Sequence, residues 1–504
     1  MSETPDTPER PEAAEQSEPQ TSRIGVDSWV AESEARRSGG PAALAGRGWE
    51  KTPDPLKLLA FAAIAASVPY WMSDSDLFIF GLFTLLFAAL GLGLNVVVGL
   101  AGLLDLGFIA FYGLGAYTYA ELSSPNYGIH WPAQYTIPIA MAVPALVGLF
   151  LGFVSRRLLG DYLAIVTLFF GQAFVFFALV ANPTVHGTGL TGGANGIPQV
   201  DPIRFSFYIH HYSYVVKSTR QFYWLLLGVV IFLSVAIHFA NQSRIGRAWR
   251  AQREDPLAAE AMSIPVNRIK ILAFVFGAAI AGLCGAIFVT IQTAARAESF
   301  NVSVLVLIYA IVILGGLGSI TGAIVGAVII NCVFEFLEPQ NDHPEVKRWL
   351  FYGIIVLLVL LIKPLFRPVV VLAATVGFGF AVHAIVTATA GASWTSGAPV
   401  SGGTWINRWA VIPGIDPHTS LDHGNFNNYL YIGLVVAIIV TASLKGWWRL
   451  AALVPTLYLT VLAWENVLAA NGAVTAFLLF GAMLIGLMAW RPQGLLGTAR
   501  VEVV

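Results

Sequence analysis

From Leu56 onward the chain alternates long apolar runs with short polar interruptions, and few runs hold an ionisable residue near the centre. Runs of about 18 or more apolar residues are long enough to cross a hydrocarbon core of about 30 Å as helix. The pattern predicts fourteen crossings, near 57–73, 77–100, 103–122, 134–154, 162–181, 222–240, 269–291, 302–316, 319–338, 348–363, 368–389, 427–443, 449–467 and 471–490. Gly315, Gly316, Gly318, Gly322 and Gly326 lie between and within the eighth and ninth pieces. These two therefore read either as two spans or as one broken or re-entrant element, which lipid tolerates only where protein or a water-filled cavity covers the backbone.

Composition places the chain outside the soluble class: 504 residues, 57% hydrophobic and 11% charged, with a net charge of −1 and a mean hydropathy of +0.72, against about 25% charged residues in soluble domains. This is an all-α polytopic membrane protein. Residues 1–50, rich in Glu, Pro, Ser and Ala, read as a disordered cytoplasmic tail. They lack the pattern of a cleaved signal, so the first span is expected to be retained. With that tail inside, the short loops bearing Arg156–Arg157, the Arg244–Lys270 block, Lys363–Arg367, Lys445–Arg449 and Arg491 all fall on the cytoplasmic side, as the positive-inside rule requires. Both termini are then cytoplasmic. Cys284 and Cys332 sit in apolar runs and read as packing residues.

Ionisable residues are scarce at span centres: Asp105, Asp161, Glu335 and Glu465 fall toward span ends, leaving Asn95, Gln172, Asn331 and His383 as the deeper polar side chains. An ion-coupled carrier usually keeps charges at depth, so this pattern argues against one. Small residues are plentiful instead. Gly318, Gly322 and Gly326 recur every four residues, a spacing that lets another backbone come close, either as a moving or pore-lining helix pair or as static packing.

One stretch stands apart. "SRIGRAWRAQREDPLAAEAMSIPVNRIK", Ser243 to Lys270, holds nine charged residues. Arg244, Arg247, Arg250 and Arg253 step by three and fan over about half a helix circumference. Asp255 before Pro256 suits an N-cap and a first turn, and Pro265 disfavours helix at Ile264, so a helix of about two turns, Pro256–Ser263, is isolated. Leu257, Ala258, Ala261 and Met262, edged by Glu254, Asp255 and Glu260, give it an apolar centre and an acidic rim. That suits docking in a partner's groove; a helix lying on lipid is the alternative.

This stretch, through "ILAF", resembles the cytoplasmic coupling loop of the permease subunits of ABC importers for branched-chain amino acids, the LivM-type family. "LGLNVVVGLAGLLDLGFIAFYGLGAY" (92–117), "GDYLAIVTLFFG" (160–171), "LTGGANGI" (190–197), "VILGGLGSITGAIVGA" (312–327) and "RPQGLLG" (491–497) are similar to family motifs in the same order. The resemblance implies an ABC-importer permease fold, and it implies that Glu254, Ala258, Ala259 and Glu260 lie in or beside the helix that docks on an ATPase subunit, with Arg250 and Arg253 supporting it. Implied partners are a second permease subunit, two ABC ATPase subunits and an extracytoplasmic substrate-binding protein, in a bacterial plasma (inner) membrane. The sequence departs from the family pattern in three places. Ser263 stands where Gly is usual, Gln172 where relatives are often acidic, and more than a hundred residues separate the closing-helix motif "WLFYGIIVLLVLLIKPLFRP" (349–368) from "RPQGLLG". The expected organisation is therefore a tail (1–50), a permease domain (51–367), an extra helical insertion near the C-terminus (368–480) with an extracytoplasmic loop at 390–427, and a closing end (481–504).

No G-x-x-x-x-G-K-[ST] occurs, so ATP is expected on partner subunits and no cofactor on this chain; neither H-E-x-x-H nor G-x-S-x-G occurs, and nothing points to nucleic acid. Asp416, His418, Asp422 and His423 in "DPHTSLDH" match no strict ligand spacing, and no metal is expected. The reading is a non-enzymatic permease subunit of an ATP-driven importer of branched-chain or related small amino acids; a urea or short-amide permease, or an ion-coupled carrier, is the alternative. Candidate pathway residues are Asn95, Gly99, Gly102, Asp105 and Gly107, where interrupted helices free backbone groups for a polar substrate, together with Gly315 and Gly318.

Overall fold

A computed structural model describes residues 54–466 apart from 126–127, 157, 159, 181–183, 186–187, 208–211, 338–343, 361–365, 390–393, 398–404 and 413–422, together with 478, 481 and 494–496. Apolar runs become helices: α1 (Asp54–Trp71), α2 (Asp74–Leu100), α3 (Phe108–Leu122), α4 (Ala133–Ser155), α5 (Asp161–Val180) and α6 (Thr219–Gln242). The polar stretch gives α7 (Arg244–Glu254) and α8 (Pro256–Ala261), followed by α9 (Val266–Gln292), α10 (Val302–Gly315), α11 (Ile320–Leu337) and α12 (Pro344–Leu360). After these come α13 (Phe366–Thr389), α14 (His423–Ser443) and α15 (Trp447–Asn466). Among the described residues seven helices are long and apolar enough to cross a membrane, and α1, α11 and α14 include shorter apolar stretches. Most of the predicted span at 471–490 and most of "DPHTSLDH" lie outside the described residues.

Residues Leu58–Ala499 form one compact unit; the other unit, Met1–Lys57 with Arg500–Val504, lies almost wholly outside the described residues. Within the larger unit α9 is the central element, packed on α3, α4 and α2. Its glycines allow this. A Cβ at Gly285 would strike the Tyr112 carbonyl of α3, one at Gly282 the Ala140 carbonyl of α4, and one at Gly277 the side chain of Val97 on α2. Without an apolar driving force between helices in lipid, such backbone approach supplies the packing that holds them.

Two sequence expectations change. The predicted 103–122 span begins as helix only at Phe108, because Gly102 takes a left-handed φ of 71° and the chain runs irregularly to Gly107. The doubtful 302–316 and 319–338 pieces are two helices joined by a tight turn, with Gly316 and Gly318 at φ 117° and 84°. Gly318 thus lies in the turn and not on the α11 face, while Gly322 and Gly326 face the Gly315 and Ile311 carbonyls of α10. The stripe serves tight α10–α11 packing.

The strands are short and lie in connections: β1 (Ser123–Ser124) pairs with β2 (Ile129–His130), β3 (Thr184–Val185) with β4 (Thr188–Gly189), β6 (Arg204–Phe207) with β7 (Tyr212–Val215), all antiparallel. β5 (Ile197–Pro198) pairs across the molecule with β8 (Ala294–Ala295), tying the α5–α6 connection to the end of α9. His130 Nδ1 lies 2.6 Å from the Asp201 carboxylate in the same region.

Candidate functional site

The charged stretch folds as two capped helices. Ser243 caps α7, its hydroxyl accepting from the Gly246 N–H at 3.3 Å, and Trp249, 1% exposed, donates its indole N–H to the Ile269 carbonyl at 3.1 Å. Arg247 and Arg250 turn back to the end of α6, donating to the Gln242 carbonyl at 2.8 Å and the Asn241 carbonyl at 3.3 Å. Such guanidinium contacts satisfy orphan carbonyls where the helix dipole is negative.

Asp255 caps α8, accepting from the Leu257 and Ala258 N–H groups at 2.8 and 3.1 Å, with Pro256 at the first helical position. The other end closes as a Schellman motif: the Ile264 N–H reaches the Ala259 carbonyl and the Ser263 N–H the Glu260 carbonyl. This motif needs a left-handed residue, and Ser263 takes it, at φ 64°. Ser263 thus adopts a conformation that glycine favours. α8 ends at Ala261, two residues short of the predicted Ser263. Leu257 and Met262 are each 78% exposed; Glu254, Asp255, Ala258 and Glu260 are exposed with them, while Ala259 turns inward. Four small or acidic groups and two long apolar ones therefore form an exposed knob, and the buried Ala259 anchors it.

A second set of residues meets where α2 and α10 break. At Asn95–Leu100 the end of α2 widens to a π-helical turn, a feature that often re-aims side chains at functional sites. Asn95 leaves the helix there to accept from the Gly318 N–H at 2.8 Å and to donate to the Ser319 carbonyl at 3.1 Å. Arg253, from the last turn of α7, donates to the Gly99 carbonyl. Its stem lies where a Cβ on Gly102 would stand, 2.8 Å from Cγ, and its guanidinium 3.1 Å from where a Cβ on Gly318 would stand. Gln252, 2% exposed, donates to the Ala101 carbonyl at 3.2 Å. The returning chain completes the cluster, since the Leu495 and Leu496 N–H groups donate to the Leu314 and Gly315 carbonyls at 2.8 and 2.9 Å.

Of the candidate pathway residues, Gly99, Gly102 and Gly318 thus meet at Arg253, Asn95 joins them through Gly318, and Gly315 through the Leu496 N–H. Gly102 admits the arginine stem because it has no side chain, and Gly99 for the same reason admits the Asn95 amide and the Gly318 backbone. Asp105 and Gly107 lie one step further on, against α5. Asp105 is 1% exposed; one carboxylate oxygen accepts from the Gly107 N–H at 2.9 Å and the other has no hydrogen-bond partner. The Asp105 carbonyl accepts from the Tyr309 hydroxyl at 2.7 Å, and the Leu106 N–H donates to the Thr167 hydroxyl at 2.9 Å. Arg250 points away from this cluster. Gln252, Ser319 and Thr167 were missed in the sequence; only the position of Gln252 beside Arg253 hinted at its part. Among the described residues no group of three or more His, Cys, Asp or Glu side chains is placed to hold a metal ion.

The described residues thus form a bundle of apolar helices with broken spans, with the capped helix α8 following the basic helix α7. The chain belongs to the family described as branched-chain amino acid transport system / permease component, whose model matches residues 77–360. It is 37% identical over 312 residues to the high-affinity branched-chain amino acid transport system permease protein LivM of Salmonella typhimurium, covering 57% of this chain and 69% of that relative. It is 35% identical over 306 residues, with the same shares, to LivM of Escherichia coli. With the permease protein BraD of Pseudomonas aeruginosa it shares 31% over 174 residues, 34% of this chain and 53% of the relative. No solved structure matches the chain.

Proposed function

We propose that this permease is one transmembrane subunit of an ATP-driven importer of branched-chain or related small amino acids, paired with a second permease subunit in the plasma (inner) membrane with both termini cytoplasmic. Two separate ATPase subunits bind the nucleotide, and an extracytoplasmic binding protein delivers the substrate. The observation that carries this reading is the Arg253 contact with Gly99, which joins the α7–α8 arm directly to the breaks in α2 and α10.

The mechanism follows from that connection. α8 offers Leu257, Ala258 and Met262 to a groove, with Glu254 and Glu260 on its rim. When the ATPases close, α8 moves with them. A free-standing arm would bend at its own loop, but Trp249, Gln252 and Arg253 fasten α7 to α9 and to the end of α2. Displacement therefore reaches the turns at 99–107 and 316–319, where the backbone is irregular and two arrangements differ least in helical hydrogen bonds. Alternating access is then a two-state equilibrium biased by ligands with different affinity for each state.

The test is reconstitution with the partner subunits and an Ala258→Arg variant. Uptake driven by ATP should be lost while the variant still assembles as a folded membrane protein. Uptake that needs an ion gradient and survives ATP depletion would overturn the reading in favour of a secondary carrier; substrate competition with leucine and with urea decides between the amino-acid and short-amide classes.

A further inference from the structure

The three deep carboxamides differ in where they point. Asn95 is bonded to the α10–α11 turn, and Asn331, 2% exposed, donates to the Thr84 hydroxyl at 2.9 Å. Gln172 is exposed and, among the described residues, has no hydrogen-bond partner. It is the twelfth of the 20 residues of α5, at mid-span.

Its neighbours define a face. Ile165, Phe169, Gln172 and Phe176 follow the i, i+4, i+7, i+11 spacing and are all exposed, whereas Ala164, Thr167, Gly171 and Ala178 form the buried side. The buried side touches the α2–α3 break: a Cβ on Gly107 would lie 2.6 Å from the Thr167 carbonyl, and Thr167 holds the Leu106 N–H. Hydrocarbon cannot satisfy a primary amide that both donates and accepts, so such side chains at mid-membrane face protein or water.

We infer that Gln172 faces the water-lined substrate pathway, on an α5 face that this chain presents to the second permease subunit, where its amide meets the carboxylate or ammonium group of a small zwitterionic amino acid. This rests on the permease-pair reading above. Because the opposite side of α5 is bonded to Leu106, movement at the α2–α3 break carries Gln172 with it and alters its access.

The test uses the assembled transporter in proteoliposomes, with Cys284→Ala and Cys332→Ala as background and Gln172→Cys as probe. A charged methanethiosulfonate is applied, and Val376→Cys on the exposed face of α13 reports the rate at a lipid-facing site. Gln172→Cys should react at least about tenfold faster than Val376→Cys, and its modification should stop uptake. Equal rates at the two positions would overturn the inference. If Gln172→Cys does not assemble, Phe176→Cys on the same exposed face gives the same comparison. Gln172→Leu should raise KM for uptake roughly tenfold, the loss of one hydrogen bond to a charged group; an unaltered KM counts against substrate contact. Labelling requires neither ATP nor a binding protein, so its failure is distinguishable from a failure of ATP coupling.

Discussion

The helices up to α11 and the helices α13–α15 are both apolar bundles, yet they are held by different means. In the first, backbone meets backbone through glycine: Gly115 against Gly282, Gly285 against the Tyr112 carbonyl, Gly315 against Gly322. In the second, no described glycine of α13–α15 meets backbone, and the contacts are made by hydroxyls and by aromatic rings, which the first region has as well. Trp409 donates to the Val376 carbonyl at 2.9 Å and packs edge-on to Tyr458, with ring centroids 5.2 Å apart. The Thr441 and Thr456 hydroxyls lie 2.8 Å apart. Where this region meets α12, Phe351 stacks on Trp464 at 4.1 Å and the Tyr352 hydroxyl donates to Glu465 at 2.8 Å. Glycine contacts tolerate no added atom, whereas side-chain contacts can be trimmed and repacked. The family match, which ends at residue 360, coincides with this change of packing.

Substitutions should separate the two regions. Gly285→Leu has the largest expected effect, since the new side chain must enter the Tyr112 backbone; overpacking typically costs about 1–3 kcal/mol, and more where backbone obstructs it. Loss of monodisperse protein in detergent would show it, and a stable, active variant would sink the glycine account. Arg253→Ala comes next and should leave assembly intact while lowering substrate moved per ATP roughly tenfold, a usual size for coupling between sites; wild-type stoichiometry would remove Arg253 from the connection. Trp464→Ala should cost about 1 kcal/mol for each aromatic pair lost, lowering the melting temperature with transport per ATP unchanged. Thr456→Val removes one hydroxyl pair, worth about 0.6 kcal/mol in membrane helices, and should be barely detectable by thermal shift. Ser263→Gly runs the other way, relieving about 1 kcal/mol of left-handed strain; a Tm unchanged or slightly higher is expected, and a clear decrease would contradict the Schellman geometry.

Much of this was legible before any coordinates. Apolar run length located α4, α5, α6 and α9 to within a few residues, because a helix in lipid must satisfy its own backbone. The Asp255–Pro256 pair announced α8, since capping and proline chemistry are local. What was hidden was long-range. Gln252 gives no sign that its partner is the carbonyl of Ala101, and Asn95 none that it bonds a turn more than two hundred residues away. The start of α3 was misplaced because hydropathy continues through 103–107 although the backbone does not. Gln172 was visible as a deep polar residue, but its exposure depends on which side of α5 packs.

The pairing of Leu495 and Leu496 with the last carbonyls of α10 has a consequence for biogenesis. Those residues are synthesised after α13–α15, so the turn that Arg253 and Asn95 hold lacks one of its partners until those helices have been made. Assembly quality control that senses this turn would read out completion of the permease, and a chain stopped after α12 would carry every residue of the arm yet present an unfinished seat for it.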